Sequence, residues 1–190
     1  MVRPRYDSNT PTARERLADA FWDLVVKDSI DSITVAGLSR AAGVSHNTFY
    51  YHFANIEAMA EELVSETSFP DLARHLLEDG WGAPTSGMAE EMRNADTAAR
   101  FMRFCAIARN GSPYLMSKLK DALILAWLEA VGRDREDLTR EDEIKLAYMA
   151  SGIMGALAKV DASKGFADML GIACGSIGDA MREEIASLAS

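Results

Sequence analysis

Cysteine is scarce: Cys105 and Cys174 are the two in 190 residues. They lie far apart and form no CxxC pair, which argues against a disulfide framework and a cysteine zinc site. No apolar run approaches the roughly 18 to 20 residues of a membrane span, so no membrane partner is expected. The opening MVRPRYDSNT is polar and no apolar run follows it. A signal peptide is therefore not expected, and the chain reads as cytoplasmic and reduced. Period-two alternation is missing, so strands are not expected. Glycine-rich phosphate loops, HExxH and GxSxG are also missing, so nothing points to catalysis or to a cofactor. Asp71, His75 and Asp79 fall at i, i+4 and i+8, but two carboxylates and one imidazole read as a solvated face, so no metal is expected. Asn110-Gly111-Ser112 matches a glycosylation acceptor and is read instead as a helix stop.

Positive charge is also short. The net charge is −9, from 20 Lys and Arg against 29 Asp and Glu, which by itself argues against nucleic acid. The distribution softens that objection. Residues 1–56 carry six Lys and Arg and six Asp and Glu, whereas residues 57–190 carry 14 against 23 and hold the whole excess. An acidic body on a neutral head leaves the head free to meet phosphates, weakly at random sites and with strong dependence on salt.

What is present is helical periodicity. Leu17, Phe21, Leu24 and Val25 define a first amphipathic helix over residues 12–27. Thr34 is placed to cap a short second helix with Val35, Leu38 and Ala41 on one face. Gly43 stops it, Ser45 caps a third and Asn55 a fourth through Met59 and Leu63. Further helices are expected over residues 69–79, up to Arg109, from Pro113 to Val131, over 140–160 and over 165–188. A loop at 80–87 holds Trp81, and Thr139 with Asp142 resembles a capping box. The expected fold is all-α with about nine helices. An N-terminal three-helix helix-turn-helix domain at 1–66 precedes a helical ligand-binding and dimerisation domain at 67–190.

The stretch GVSHNTFYYHF sets five ring-bearing side chains in a row after a glycine and a serine. No solvated helix accepts that run, and no single core face buries all of it. Helix, glycine turn and short helix form the layout in which a second helix enters the major groove of DNA. His46, Asn47 and Thr48 would then meet base edges first. The hydroxyls of Thr48, Tyr50 and Tyr51 would reach phosphates, while Phe49 and Phe53 face inward. The segment TVAGLSRAAGVSHNTFYYHFANIEAM resembles the DNA-binding head of the TetR family of transcriptional regulators. The agreeing residues are Thr34-Val35, Leu38, Ala42-Gly43-Val44-Ser45, Thr48, Tyr50 and His52-Phe53, and the likeness runs from the first helix to about Leu63.

That resemblance implies a homodimer on an inverted-repeat operator in duplex DNA, commonly a repressor released by a small-molecule effector that is unknown here. It makes Thr34 a phosphate-contacting cap, Thr48 and Tyr50 backbone clamps, and His46 and Asn47 the sequence readers. Tyr51 and His52 fall at the groove edge. One position departs: the family commonly has a Lys at the start of the fourth helix, where Asn55 is followed by Ile56. Arg3 and Arg5 could compensate as an N-terminal arm.

In the body, Ser151, Gly152, Gly155, Ala156, Gly171, Gly175, Ser176 and Gly178 make the last two helices rich in small residues, and helical glycines cost about 1 kcal/mol each relative to alanine. Close backbone approach would offset that cost. The resemblance sets a dimer interface here, filled by Met154, Leu157, Met169, Ile172 and Ile177 beside Gly152, Gly155, Gly175 and Gly178. Phe101, Met102, Phe104, Cys105, Met116, Trp127, Tyr148 and Met149 are large and soft, suited to an adaptable effector pocket or to plain core. Two alternatives stand beside the ligand-released repressor. One is a regulator controlled through Cys105 or a protein partner; the other is a helical interaction module that does not bind DNA.

Overall fold

A computed structural model describes residues 11–66, 95–160 and 175–189. Among these the chain is all-helical, with eight α-helices and no strand. The head holds α1 (Ala13–Val25), α2 (Val35–Ala41), α3 (His46–His52) and α4 (Ile56–Ser65). The body holds α5 (Ala95–Asn110), α6 (Pro113–Val131), α7 (Arg140–Leu157) and α8 (Ser176–Ser187). Single 3-10 turns occupy Ile30–Ser32 and Arg135–Asp137. The expected helix at 69–79, the loop at 80–87, and with them Asp71, His75, Asp79 and Trp81, lie outside the described residues. So do Arg3, Arg5, Met169, Gly171, Ile172 and Cys174. The expected domain boundary at 66/67 falls at the edge of what is described.

Each helix start in the head follows from a side-chain cap. The Thr12 hydroxyl accepts from the Glu15 N–H at 3.2 Å while the Glu15 carboxylate accepts from the Thr12 N–H at 2.7 Å. This capping box was not expected. Thr34 accepts from Gly37 at 3.1 Å, Ser45 from Thr48 at 3.1 Å and Asn55 from Ala58 at 2.8 Å. Gly43, at φ +63°, takes the left-handed turn between α2 and α3. In the body, Gly111 stops α5 for a steric reason, because a Cβ there would lie 2.6 Å from the Ile107 carbonyl oxygen. The Thr139–Asp142 capping box is formed, and Asp142 is held below the usual carboxylate range by the Thr139 hydroxyl and then its N–H.

One apolar cluster runs through head and body. Leu17, Phe21 and Val25 of α1 are fully buried with Leu38, Phe49 and Met59, while Ile107, Leu115, Leu123, Trp127 and Leu146 fill the body. Side chains distant in sequence close the helix ends. Asn110 Nδ2 donates to the Val25 carbonyl at 2.7 Å, so the body caps the end of α1. Arg109 donates to the Ala158 and Val160 carbonyls beyond α7, at 3.2 and 2.7 Å. Arg133 donates to the Leu188 carbonyl at 2.7 Å and to Asp137 at 3.0 Å.

Polar contacts join α4 to α6. The buried Ser112 hydroxyl caps α6 by accepting from the Leu115 N–H and donates to the Glu57 carboxylate. Tyr114 donates to Glu61 at 2.9 Å, and Lys118 approaches the other Glu61 oxygen at 3.2 Å. Glu61 is accordingly held below the usual carboxylate range, by the Tyr114 hydroxyl first and Lys118 second. Arg103 of α5 lies over the Trp22 ring of α1 at 5.3 Å.

Candidate nucleic-acid interface

The α2–turn–α3 unit is built by local signals. Leu38 and Ala42 are buried on the seam under α3, and Val44 packs beside them. Phe49 and Phe53, four residues apart, are buried with ring centroids 5.9 Å apart. That burial turns the rest of α3 outward. His46 and Asn47 are exposed on its first turn. Tyr50 is 58% exposed and Tyr51 85% exposed, an unusual degree for two tyrosines in a seven-residue helix. Tyr50 is braced edge-on by Phe49 at 5.4 Å and by His46 at 6.4 Å, so the phenol stands off a fixed base.

Of the other expected residues, Thr34 and Ser45 are exposed and carry their caps. Thr48 is half-buried and its hydroxyl is 2.8 Å from that of Ser45, so these two oxygens share one proton between them and keep only the other for a further partner. His52 is half-buried between the Tyr51 and Phe53 rings, at 5.0 and 6.2 Å. The structure thus brings His46, Asn47, Tyr50 and Tyr51 onto one solvent face and leaves Thr48 and His52 partly engaged with the chain itself.

Two of the head's cations are withdrawn from this face. Arg14 bridges Glu62 and Glu66 of α4 at 2.6 Å each, and both carboxylates hold its guanidinium charged. Arg16 donates to the Gly43 carbonyl at 3.4 Å and so steadies the turn. Arg40, in the last turn of α2 three residues before Gly43, is exposed, and its guanidinium has no hydrogen-bond or ion-pair partner among the described residues. Sequence reasoning passed over it. Its signal was plain: a cation on the second helix of the motif, in a head where cations are few. Ile56 is half-buried against the core, so the first position of α4 is committed to packing.

Most of the residues expected at an effector pocket pack into the core of the body. Phe101, Phe104, Cys105, Trp127 and Met149 are buried in the core, and Met102 and Met116 pack against it. Tyr148 is 81% exposed on the outer side of α7 and cannot serve as the polar handle of an interior pocket in this chain. Soft side chains at helical spacing have here filled the core. A groove of about 400 Å³ lies instead between α6 and α7, and none of the eight expected residues lines it. Burial pushes the Cys105 thiol up to about 11, and the side chain is wholly inaccessible.

The expected dimer residues divide. Met154 and Leu157 are buried in the chain's own core, and Gly178 is buried as well. Gly175 is half-buried, while Gly152, Gly155 and Ile177 are exposed, Ile177 to 66%. Ile144, Tyr148, Ser151, Gly152 and Gly155 follow one another along α7 as an uncovered stripe of apolar and small residues.

An all-helical chain whose capped second helix turns through a left-handed glycine into a short helix with an exposed polar and aromatic face is a helix-turn-helix DNA-binding protein. Residues 19–63 match the model of the bacterial regulatory proteins of the tetR family. The match lies in the head, which is a DNA-binding domain of that family, and the chain is a DNA-binding transcriptional regulator. No curated protein matches it. A solved structure, the TetR family repressor AlkX from Dietzia sp. strain DQ12-45-1b, implicated in biodegradation of n-alkanes, aligns over 94% of this chain and 98% of its own. Identity is 14% and the TM-score 0.45, a likeness that carries no argument about ligand or operator. Among the described residues, no helix is long and apolar enough to cross a membrane.

Proposed function

We propose that the chain acts in the cytoplasm as a homodimeric repressor that reads an inverted-repeat operator with α3 and is released by a small-molecule effector. The observation that carries the reading is the outward face of α3. His46, Asn47, Tyr50 and Tyr51 stand in solvent on a helix pinned from beneath by Phe49 and Phe53. His46 and Asn47 read base edges from the helix start, where a recognition helix meets the major groove. Tyr50, Tyr51, Thr34 and Arg40 contact phosphates, Arg40 substituting for the lysine that α4 lacks.

Dimerisation uses the uncovered stripe of α7 together with Ile177 of α8. In favour of this, the two α7 glycines have no side chain of their own protomer to meet: a Cβ at Gly152 or Gly155 would find nothing within 4 Å. Release by an effector would travel through the α4–α6 junction, where Glu57 and Glu61 fasten the head to Ser112, Tyr114 and Lys118 of the body. A shift of α6 would reset α4 and so the spacing of two heads that must reach half-sites about 34 Å apart or a multiple of that. Control by thiol oxidation loses its sensor at Cys105, since a buried thiol with a raised pKa forms little thiolate.

The test is selection of bound sequences from a random duplex library by the purified protein at low and moderate salt. Enrichment of one inverted repeat is expected. Enrichment of a single, unrepeated site would remove the dimer from the proposal, and no enrichment at either salt would remove the DNA-reading role of α3.

A further inference from the structure

The groove between α6 and α7 has a chemical character at odds with the body around it. The body is strongly acidic, yet Lys120, Arg135 and Arg140 gather at this one groove against Asp121 and Glu143. Arg135 meets Asp121 at 3.2 Å, and Arg140 lies 4.0 Å from Glu143, at the limit of an ion pair. Lys120, half-buried, has no hydrogen-bond or ion-pair partner among the described residues, which leaves one positive charge unmatched. Ile124, Leu138 and Leu146 supply an apolar lining. The volume, about 400 Å³, falls within the range of small-molecule sites, and those sites pair apolar walls with a few convergent polar groups.

We propose that this groove binds a small amphipathic anion, one carboxylate or sulfonate on an apolar body. Lys120 meets the anion, and Arg135 adds donors that Asp121 does not occupy, a guanidinium having five. The apolar body of the ligand covers Ile124 and Leu146. Exposed ion pairs are weak alone, so the apolar contact supplies most of the affinity and the cations supply the choice of an acid over its neutral analogue. Ile144 and Ser151 line both this groove and the open stripe of α7, so an occupant reaches the edge of that stripe without covering it. The site stands on its own geometry and does not depend on DNA binding.

The full chain is titrated with 8-anilinonaphthalene-1-sulfonate and followed by fluorescence. Naphthalene-1-carboxylate and uncharged naphthalene-1-methanol serve as competitors. Saturable binding at one site per chain is expected, displaced by the carboxylate and about tenfold or more less well by the alcohol. Lys120→Glu, which reverses the unmatched charge, and Ala147→Trp, which fills the groove from an exposed position, should each weaken the dye about tenfold or more with far-ultraviolet circular dichroism unchanged. Two results overturn the site: binding that does not saturate, or binding that neither substitution changes. Loss in Ala147→Trp alone, or equal displacement by acid and alcohol, overturns the anionic class.

Discussion

Replacing Gly152 and Gly155 by alanine has opposite signs in a lone protomer and in a dimer packed on α7. Both glycines lie within an 18-residue helix, both are exposed, and a Cβ at either would meet nothing within 4 Å. In a protomer with that face in water, each substitution removes the glycine penalty of about 1 kcal/mol. The double variant would then gain about 2 kcal/mol and melt about 4 to 8 °C higher, at the rate usual for chains of this size. If a second protomer lays its own α7 against the stripe, the new methyl groups stand where backbones approach. Every 1.4 kcal/mol of strain then weakens association about tenfold. The account predicts the second outcome: weaker self-association by sedimentation equilibrium, and a melting temperature that falls at dimer-forming concentrations and rises only on dilution. A variant that melts several degrees higher at every concentration, with association unchanged, would refute the dimer face.

Three further outcomes follow from the head and its junction. Phe49→Ala empties a fully buried site beneath α3 and should cost about 3 to 5 kcal/mol, read by urea unfolding, with DNA binding lost alongside. Glu61 is held below its ordinary value, so its contribution to stability is present above the unfolded carboxylate pKa of about 4.3 and disappears as pH falls through the lower folded value. Stability measured from pH 7 down to pH 3 should therefore decline less steeply in Glu61→Gln than in the wild type, and equal slopes would contradict the junction. Arg40→Ala should lower the slope of log affinity against log salt by about 1 per half-site while leaving the preferred sequence unchanged. A changed preference would make Arg40 a base reader.

The head was legible because its signals act within four residues. Thr34, Ser45 and Asn55 each cap the helix that begins beside them, and Gly43 makes the turn its type permits. Phe49 and Phe53 share a face by spacing alone, which leaves Tyr50 and Tyr51 outside. The body was less legible because its determinants are distant. Asn110 reads as a helix stop, and it is one, but its amide also closes α1 from 85 residues away. Arg109 and Arg133 hold carbonyls about fifty residues on. Helical spacing could not say which side of α7 is buried. Met154 and Leu157, expected at a dimer face, are buried in the core, and Tyr148, expected at a pocket, is exposed. The groove cations were hidden for the same reason: Lys120 and Arg135 are far apart in a charged sequence until α6 and the connector meet.

The central claim is that the exposed face of α3 reads DNA sequence. The direct measurement is the affinity of wild type and of His46→Ala/Asn47→Ala for the selected inverted repeat and for an unrelated duplex at one fixed salt concentration. Both residues are exposed and neither supports the core, so the fold and the phosphate contacts should survive. The account predicts that affinity for the unrelated duplex is kept while the preference for the repeat falls about tenfold to a hundredfold or more, since each good base contact contributes about 1 to 3 kcal/mol of discrimination. An unchanged preference would contradict it and move sequence reading elsewhere on the head.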